Sequence, residues 1–205
     1  VSRDPRFVEK LEDIVGLYMS PPEHAPVLCC DEKSQVQALD RTQPGLPMTP
    51  GRSATLTHDY NRHGTTTLLA AMNTLDGKDI SRCEQRHRHV EWLDFLRQIN
   101  RETPHDRTLH LIGDNYATHK HPKVKEWRAR HPRFQVHFIP TSASWLNMVE
   151  RFFRDRTTNH LRNGVFRRVP ELTIAVHNKN PKPFVWTAKA HDILAKVIRA
   201  NRNLL

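Results

Sequence analysis

Apolar positions recur three and four apart near the start of the chain. Phe7, Val8, Leu11, Ile14, Val15 and Leu17 predict a short helix, which "SPPEHAP" then breaks. "VLCC" (27–30) is apolar without interruption, predicts a buried strand, and ends on Asp31. Residues 41–64 are rich in Pro, Gly, Ser and Thr and predict an irregular excursion. "TTTLLAAMN" (65–73) predicts a second strand. "DG" at 76–77 is a turn, and a more polar strand near 79–85 pairs back as a hairpin.

The period then lengthens. Val90, Leu93, Phe95, Leu96 and Ile99 mark a helix over 89–100. A strand follows at 108–113, then a helix over 122–130 with Pro122 in its first turn. "FQVHFIP" (134–140) alternates as a half-buried strand does. Residues 142–162 predict a long helix, opened by a serine as N-cap candidate, with Trp145, Leu146, Val149, Phe152 and Phe153 as its apolar stripe. Two further helices are predicted over 169–176 and 187–202. Three strands followed by alternating helices and strands predict an α/β fold with a mixed sheet flanked by helices. The whole of 1–205 is expected to be a single domain, with 1–24 as a helical lead-in and 187–205 as a C-terminal helix.

Composition narrows the function classes. The 32 Lys and Arg residues exceed the 22 Asp and Glu residues, a formal charge of +10, which favours a polyanionic partner, nucleic acid first. No apolar run is long enough to span a bilayer, and no basic amphipathic helix of the membrane-surface kind stands out, so no membrane partner is expected. The charged N-terminus lacks a signal-peptide core, which predicts a cytoplasmic protein. Three cysteines, two of them the neighbours Cys29 and Cys30, predict reduced and mostly buried thiols.

Three carboxylates carry the candidate chemistry. Asp31 ends the first predicted strand and Asp114 the fourth. If these strands are parallel neighbours, both acids emerge at one sheet edge, where open α/β sheets hold ligands. Glu150 falls beside the apolar stripe of the 142–162 helix, at the border between core and solvent. A divalent cation such as Mg2+ or Mn2+ would remove the repulsion between these acids. Each acid also fits a plainer role. Asp114 could cap the turn after its strand, Glu150 could pair with Arg154, and Asp31 could be an ordinary strand-end acid with Glu32 as an equal candidate. "RHRH" (86–89) and "HKH" (119–121) lack the partners of a structural zinc site. From His119 onward, Lys120, Lys123, Lys125, Arg128, Arg130 and Arg133 stand against the single acid Glu126. They read either as a solvated face or as a phosphate-backbone track, with Trp127 in the core.

"CDEKSQVQALDRTQP", "HLIGDNYATHK", "PTSASWLNMVERFF" and "NPKPFVW" together resemble the DDE transposases of the 630 insertion-sequence family, bacterial relatives of the mariner transposases. The likeness runs from about residue 1 to 199. It implies a ribonuclease-H-like catalytic domain in which Asp31, Asp114 and Glu150 are the catalytic acids and hold two Mg2+ (or Mn2+) ions. Thirty-five residues separate Asp114 from Glu150, close to the family's spacing. The implied activity is metal-dependent strand cleavage at transposon ends followed by strand transfer into target DNA, with no covalent protein–DNA intermediate.

The implied partners are transposon-end and target DNA, bound by a homodimer, in a bacterial, nucleoid-associated setting. Asn115, His119, Lys120, Lys123, Asn147 and Arg151 are the candidate nucleic-acid contacts. Two departures from the family pattern are expected to matter. The helix-turn-helix DNA-binding region that precedes the catalytic domain in the family is absent before "VSRDPRF", and "PELTIAVHNKNPKPF" is shorter than the pattern. The alternatives are an inactive or repurposed transposase-derived DNA-binding protein, or another ribonuclease-H-like nuclease.

Overall fold

Val27, Leu28, Cys29 and Cys30 are all buried, yet they serve two different cores, because successive strand side chains point to opposite faces of a sheet. In the computed structural model, which describes residues 2–41, 49–51, 59–157, 166–169, 171, 192 and 195, the elements follow the predicted order. They are α1 (Phe7–Met19), β1 (Val27–Arg41), β2 (Tyr60–Asn73), β3 (Asp79–Glu84), α2 (His89–Glu102), β4 (Leu109–Gly113), α3 (Pro122–Ala129), β5 (Phe134–Phe138) and α4 (Val149–Arg156). The five strands form one sheet in the order β3-β2-β1-β4-β5. The β3-β2-β1 pairings are antiparallel, and the β1-β4 and β4-β5 pairings are parallel.

One face packs Val27, Cys29, Leu68, Ala70, Met72 and Ile112 against Leu11, Ile14 and Val15 of α1 and Val149, Phe152 and Phe153 of α4. The other packs Leu28, Cys30, Leu69, Ala71, Leu109 and Leu111 against Trp92, Phe95, Leu96 and Ile99 of α2 and Val124 and Trp127 of α3. A continuous apolar run is what a strand covered on both faces requires. The predicted "DG" turn is present: Gly77 adopts φ +70 and its N–H reaches the Asn73 carbonyl.

Several predicted boundaries move. β1 does not stop at Asp31 but continues to Arg41, pairing with β2 from Leu28↔Asn73 to Arg41↔Tyr60. The excursion predicted over 41–64 therefore begins and ends as paired strand. β1 is irregular between Lys33 and Val36, where Gln35 adopts φ +56. The predicted 142–162 helix is interrupted: Ser142 has φ +59, residues 144–146 form a single 3-10 turn, and α4 starts at Val149. A left-handed residue cannot open an α-helix, so no serine there serves as the expected N-cap. Trp145 and Val90, both expected on core stripes, are exposed, while Trp92 is buried. Cys29 and Cys30 are buried, Cys83 is partly buried, and all three are free thiols. The helices predicted over 169–176 and 187–202, the C-terminal segment 187–205 and the shortened stretch before "NPKPF" lie almost wholly outside the described residues. No helix among the described residues is long and apolar enough to cross a membrane.

Candidate metal centre

The parallel pairing of β1 and β4 runs Val27↔His110, Leu28↔Leu111, Cys29↔Ile112 and then ends. Two residues further along each strand stand Asp31 and Asp114. β4 finishes at Gly113, whereas β1 goes on with β2 as its neighbour. The β1–β4 pairing therefore ends just before the two acids, at the carboxyl end of the parallel ladder. By alternation, Asp31 and Asp114 share the parity of Cys29 and Ile112, the face on which α4 packs. Glu150 sits in the first turn of α4, exposed beside the buried Val149 and three residues before the buried Phe153.

Asp31 registers how close these acids are. It is buried, and burial is the largest influence raising its carboxyl. The Glu32 N–H, donating to Oδ1 at 2.8 Å, opposes that shift. The charges of Asp114, Glu32 and Glu150 add to it, bringing the group to about 7. Carboxylates from a strand edge, a strand end and a helix thus repel one another at one buried group. No ion pair joins Glu150 to Arg154 among the described residues; Arg154 lies near Asp155 instead. The turn-capping role of Asp114 is real, since Oδ1 accepts the Tyr116 N–H at 2.9 Å.

A second group shares Asp114. Ligand atoms of Glu32, Asp114 and His119 lie within 4.8 Å of one another. His119, 4% exposed and covered by the Trp92 ring at 4.1 Å, reaches Glu32 Oε1 from Nε2 at 2.9 Å and Asp114 Oδ1 from Nδ1 at 3.0 Å. Burial works against its protonation, but the hydrogen bonds and charges of Asp114 and Glu32 outweigh burial and lift it to about 10. Burial likewise opposes ionisation of Asp114, yet the His119 contact, the Tyr116 N–H and Lys120 hold its carboxyl below the usual range. An imidazolium that donates to both carboxylates offsets one of their two negative charges. Asp31 still faces the charges of Asp114, Glu32 and Glu150. An oxygen-seeking divalent cation fits that set, because it removes the repulsion that Asp31 experiences.

Neutral side chains hold the acids in place. Asn147, 1% exposed, donates from Nδ2 to the Cys30 carbonyl at 3.0 Å and to Asp31 Oδ2 at 3.4 Å. Its own segment is pinned by the Tyr18 hydroxyl, which donates to the Leu146 carbonyl at 2.7 Å. Asn115 Nδ2 donates to the Ile139 carbonyl at 2.7 Å, and the Ile139 N–H donates to the Gly113 carbonyl, tying the tip of β4 to the end of β5.

The six residues expected to touch nucleic acid therefore divide. Lys120, Lys123 and Arg151 are exposed. Asn115 is half-buried and engaged with backbone, and His119 and Asn147 are buried against the acids rather than facing a ligand surface. Arg133, expected on the basic track, instead donates to the carbonyls of Pro104 and Arg107 and to Thr103 Oγ1, fastening the segment between α2 and β4. Sequence reasoning missed the Glu32–His119 bridge and the Asn147 tether. Their only trace in the chain is a polar residue close to each acid, five beyond Asp114 and three before Glu150.

The model of the DDE superfamily endonuclease family matches residues 26–173. The insertion element IS630 uncharacterized 39 kDa protein of Shigella sonnei is 25% identical over 96 residues, which are 45% of this chain and 28% of that protein. Among solved structures, the Mos1 transposase catalytic domain with raltegravir and Mn superposes with a TM-score of 0.54 at 10% identity, covering 85% of this chain and 81% of that one. The Mos1 strand transfer complex gives 0.50 at 15% identity, covering 93% of this chain and 52% of that one. The chain thus spans about a quarter of the curated relative and about half of the protein in the strand transfer complex. At such identities the structural likeness establishes the fold, a ribonuclease-H-like mixed sheet flanked by helices.

Proposed function

The chain belongs to the DDE superfamily endonucleases, and from that premise we propose that it is the catalytic domain of a DNA transposase, cutting transposon ends and joining them to target DNA. The observation that carries the reading is the convergence on Asp31, buried beside the ends of β4 and α4, whose carboxyl is raised first by burial and then by the charges of Asp114, Glu32 and Glu150. Asp31, Asp114 and Glu150 would hold divalent ions, Mg2+ or Mn2+ and two in number. Glu32, like Asp114, is bridged by His119 and also adds its charge at Asp31.

When bound, such ions lower the pKa of an attacking water or 3′-hydroxyl and stabilise the leaving 3′-oxygen. The chain's own groups then have three tasks. Asn147 holds the Asp31 carboxylate against α4. Asn115 and His119 fix the tip of β4, so that Asp114 presents an ionised oxygen at low reorganisation cost. Lys120, beside Asp114, and Arg151, next to Glu150 on α4, together with the exposed Lys123, contact the phosphate backbone and give binding its salt dependence. The partners are transposon-end and target DNA, engaged by a homodimer.

The test is cleavage of labelled DNA carrying the element's ends by purified protein supplied with Mn2+. Nicking at the end, lost by roughly two orders of magnitude or more in Asp114→Asn and in Glu150→Gln, is the expected result. Protein that binds the DNA without cutting it, with Asp114→Asn indistinguishable from the parent, refutes the reading.

A further inference from the structure

Trp145 does not lie where an apolar residue in a helix stripe belongs. It is 50% exposed, although its neighbours are anchored inside: Ala143 is 1% exposed and Leu146 is fully buried. The exposure is not that of a loose loop. Ala143 N–H bonds the Pro140 carbonyl, Leu146 N–H the Ala143 carbonyl and Asn147 N–H the Ser144 carbonyl, while Tyr18 holds Leu146 from below. An indole is thus held outward on a braced 3-10 turn, two residues before the Asp31 tether and five before Glu150.

A second aromatic stands in the same relation to the other acid. Tyr116 is 45% exposed, and its backbone N–H is bound to the Asp114 carboxylate. Beside it lies a cavity of about 500 Å3 lined by Arg86, His87, Arg88, His89 and His121 as well as Tyr116, with no carboxylate in its lining. A volume of that size admits one small-molecule-sized unit and excludes a duplex.

We propose that Trp145 and Tyr116 are base-stacking platforms for a DNA strand that is unpaired next to the scissile phosphate, with the Arg86–His89 cavity receiving its backbone. The proposal rests on the DNA-cutting reading above and names the form in which the substrate is held. The physical ground is that a flat aromatic surface exposed to water has a base's π-face as its natural partner and tolerates any sequence, and at Tyr116 basic side chains stand beside it. An intact duplex buries its base faces and offers only edges and phosphates.

The experiment is binding in chelator, so that nothing is cut. The probes are a blunt duplex and the same duplex carrying an unpaired tail with 2-aminopurine at the junction. Wild-type protein is expected to bind the tailed probe about tenfold or more tighter than the blunt one and to quench its fluorescence by stacking. Trp145→Ala is expected to weaken tailed binding about 10- to 100-fold and to abolish the quench, whereas Trp145→Phe keeps both within about threefold. Arg86→Ala is expected to steepen neither preference but to lower the salt dependence.

Equal binding of both probes, or an unquenched tail, overturns the proposal, and so does loss of self-association in Trp145→Ala with tailed binding unchanged. If Trp145→Ala does not fold, the wild-type quench and Tyr116→Ala decide the matter. A protein that cuts DNA yet fails here loses the platforms alone. One that stacks the tail yet never cuts loses the cleavage reading alone.

Discussion

His119 Nε2 lies 2.9 Å from Glu32 Oε1, and the opposite nitrogen of the same ring lies 3.0 Å from Asp114 Oδ1. One buried ring therefore clamps a residue of β1 to the tip of β4, across the place where the two strands part. His119→Ala would leave the Glu32 carboxylate buried without its partner. The expected cost is about 3 kcal/mol, read as a lower urea midpoint at unchanged slope. His119→Gln, which can keep one of the two hydrogen bonds, should lose clearly less. Equal losses in the two variants would mean that the ring matters for packing on Trp92 rather than for the clamp.

Asn147 reaches both the Cys30 carbonyl and the Asp31 carboxylate. Asn147→Ala should reduce stability by only about 1 kcal/mol, the usual contribution of a hydrogen bond. Its larger effect should fall on the metal, since groups that orient ligands change affinity by about 10- to 100-fold. Cleavage rate followed against Mn2+ concentration should shift to higher metal with the plateau less affected. A fallen plateau at an unshifted midpoint would contradict the tether.

Asp31 is a buried acid surrounded by other acids. Asp31→Asn removes that repulsion while keeping an oxygen to accept the Glu32 N–H. In chelator, the variant should therefore melt higher than the parent, by about 1–3 kcal/mol of added stability, while cutting no DNA. A lower melting temperature would show that the carboxylate is satisfied within the protein and that the acids do not strain one another.

Asp4 accepts the Lys10 ammonium at 2.6 Å and the Thr141 N–H at 3.1 Å, joining the start of α1 to the segment that leads into α4. The Lys10 hydrogen bond is the main cause that lowers its carboxyl from 3.8 to about 2, outweighing burial. A depressed acid stabilises above its unfolded value, and that contribution is lost as pH falls from 3.8 through about 2. Asp4→Asn should thus be less stable than the parent by about 1–2 kcal/mol at neutral pH, with the two converging near pH 2. Denaturation midpoints measured across that range check the sign. A difference constant with pH would assign the effect to packing instead.

Much of the fold was legible because its code is local. The apolar runs in "VLCC" and "TTTLLAAMN" and the helical stripe of 89–100 survive translation into structure with their order intact. The long helix at 142–162 was not legible in the same way. Its apolar residues are spaced as a helix would space them, but Leu146 and Val149 serve the core from two different pieces of backbone, and Trp145 serves no core. Periodicity reports which residues are apolar and not whether the backbone between them is continuous.

By itself the sequence determined the order of strands and helices, the basic surface and the three candidate acids, since each follows from residue type and short-range spacing. Tertiary structure alone decided that Asp31 leaves the ladder where Asp114 ends it, that His119 and Asn147 turn inward to the carboxylates, and that Arg133 is consumed by backbone carbonyls. The reason is physical: whether a polar side chain faces solvent or a buried partner depends on what packs beside it, and those neighbours come from distant parts of the chain.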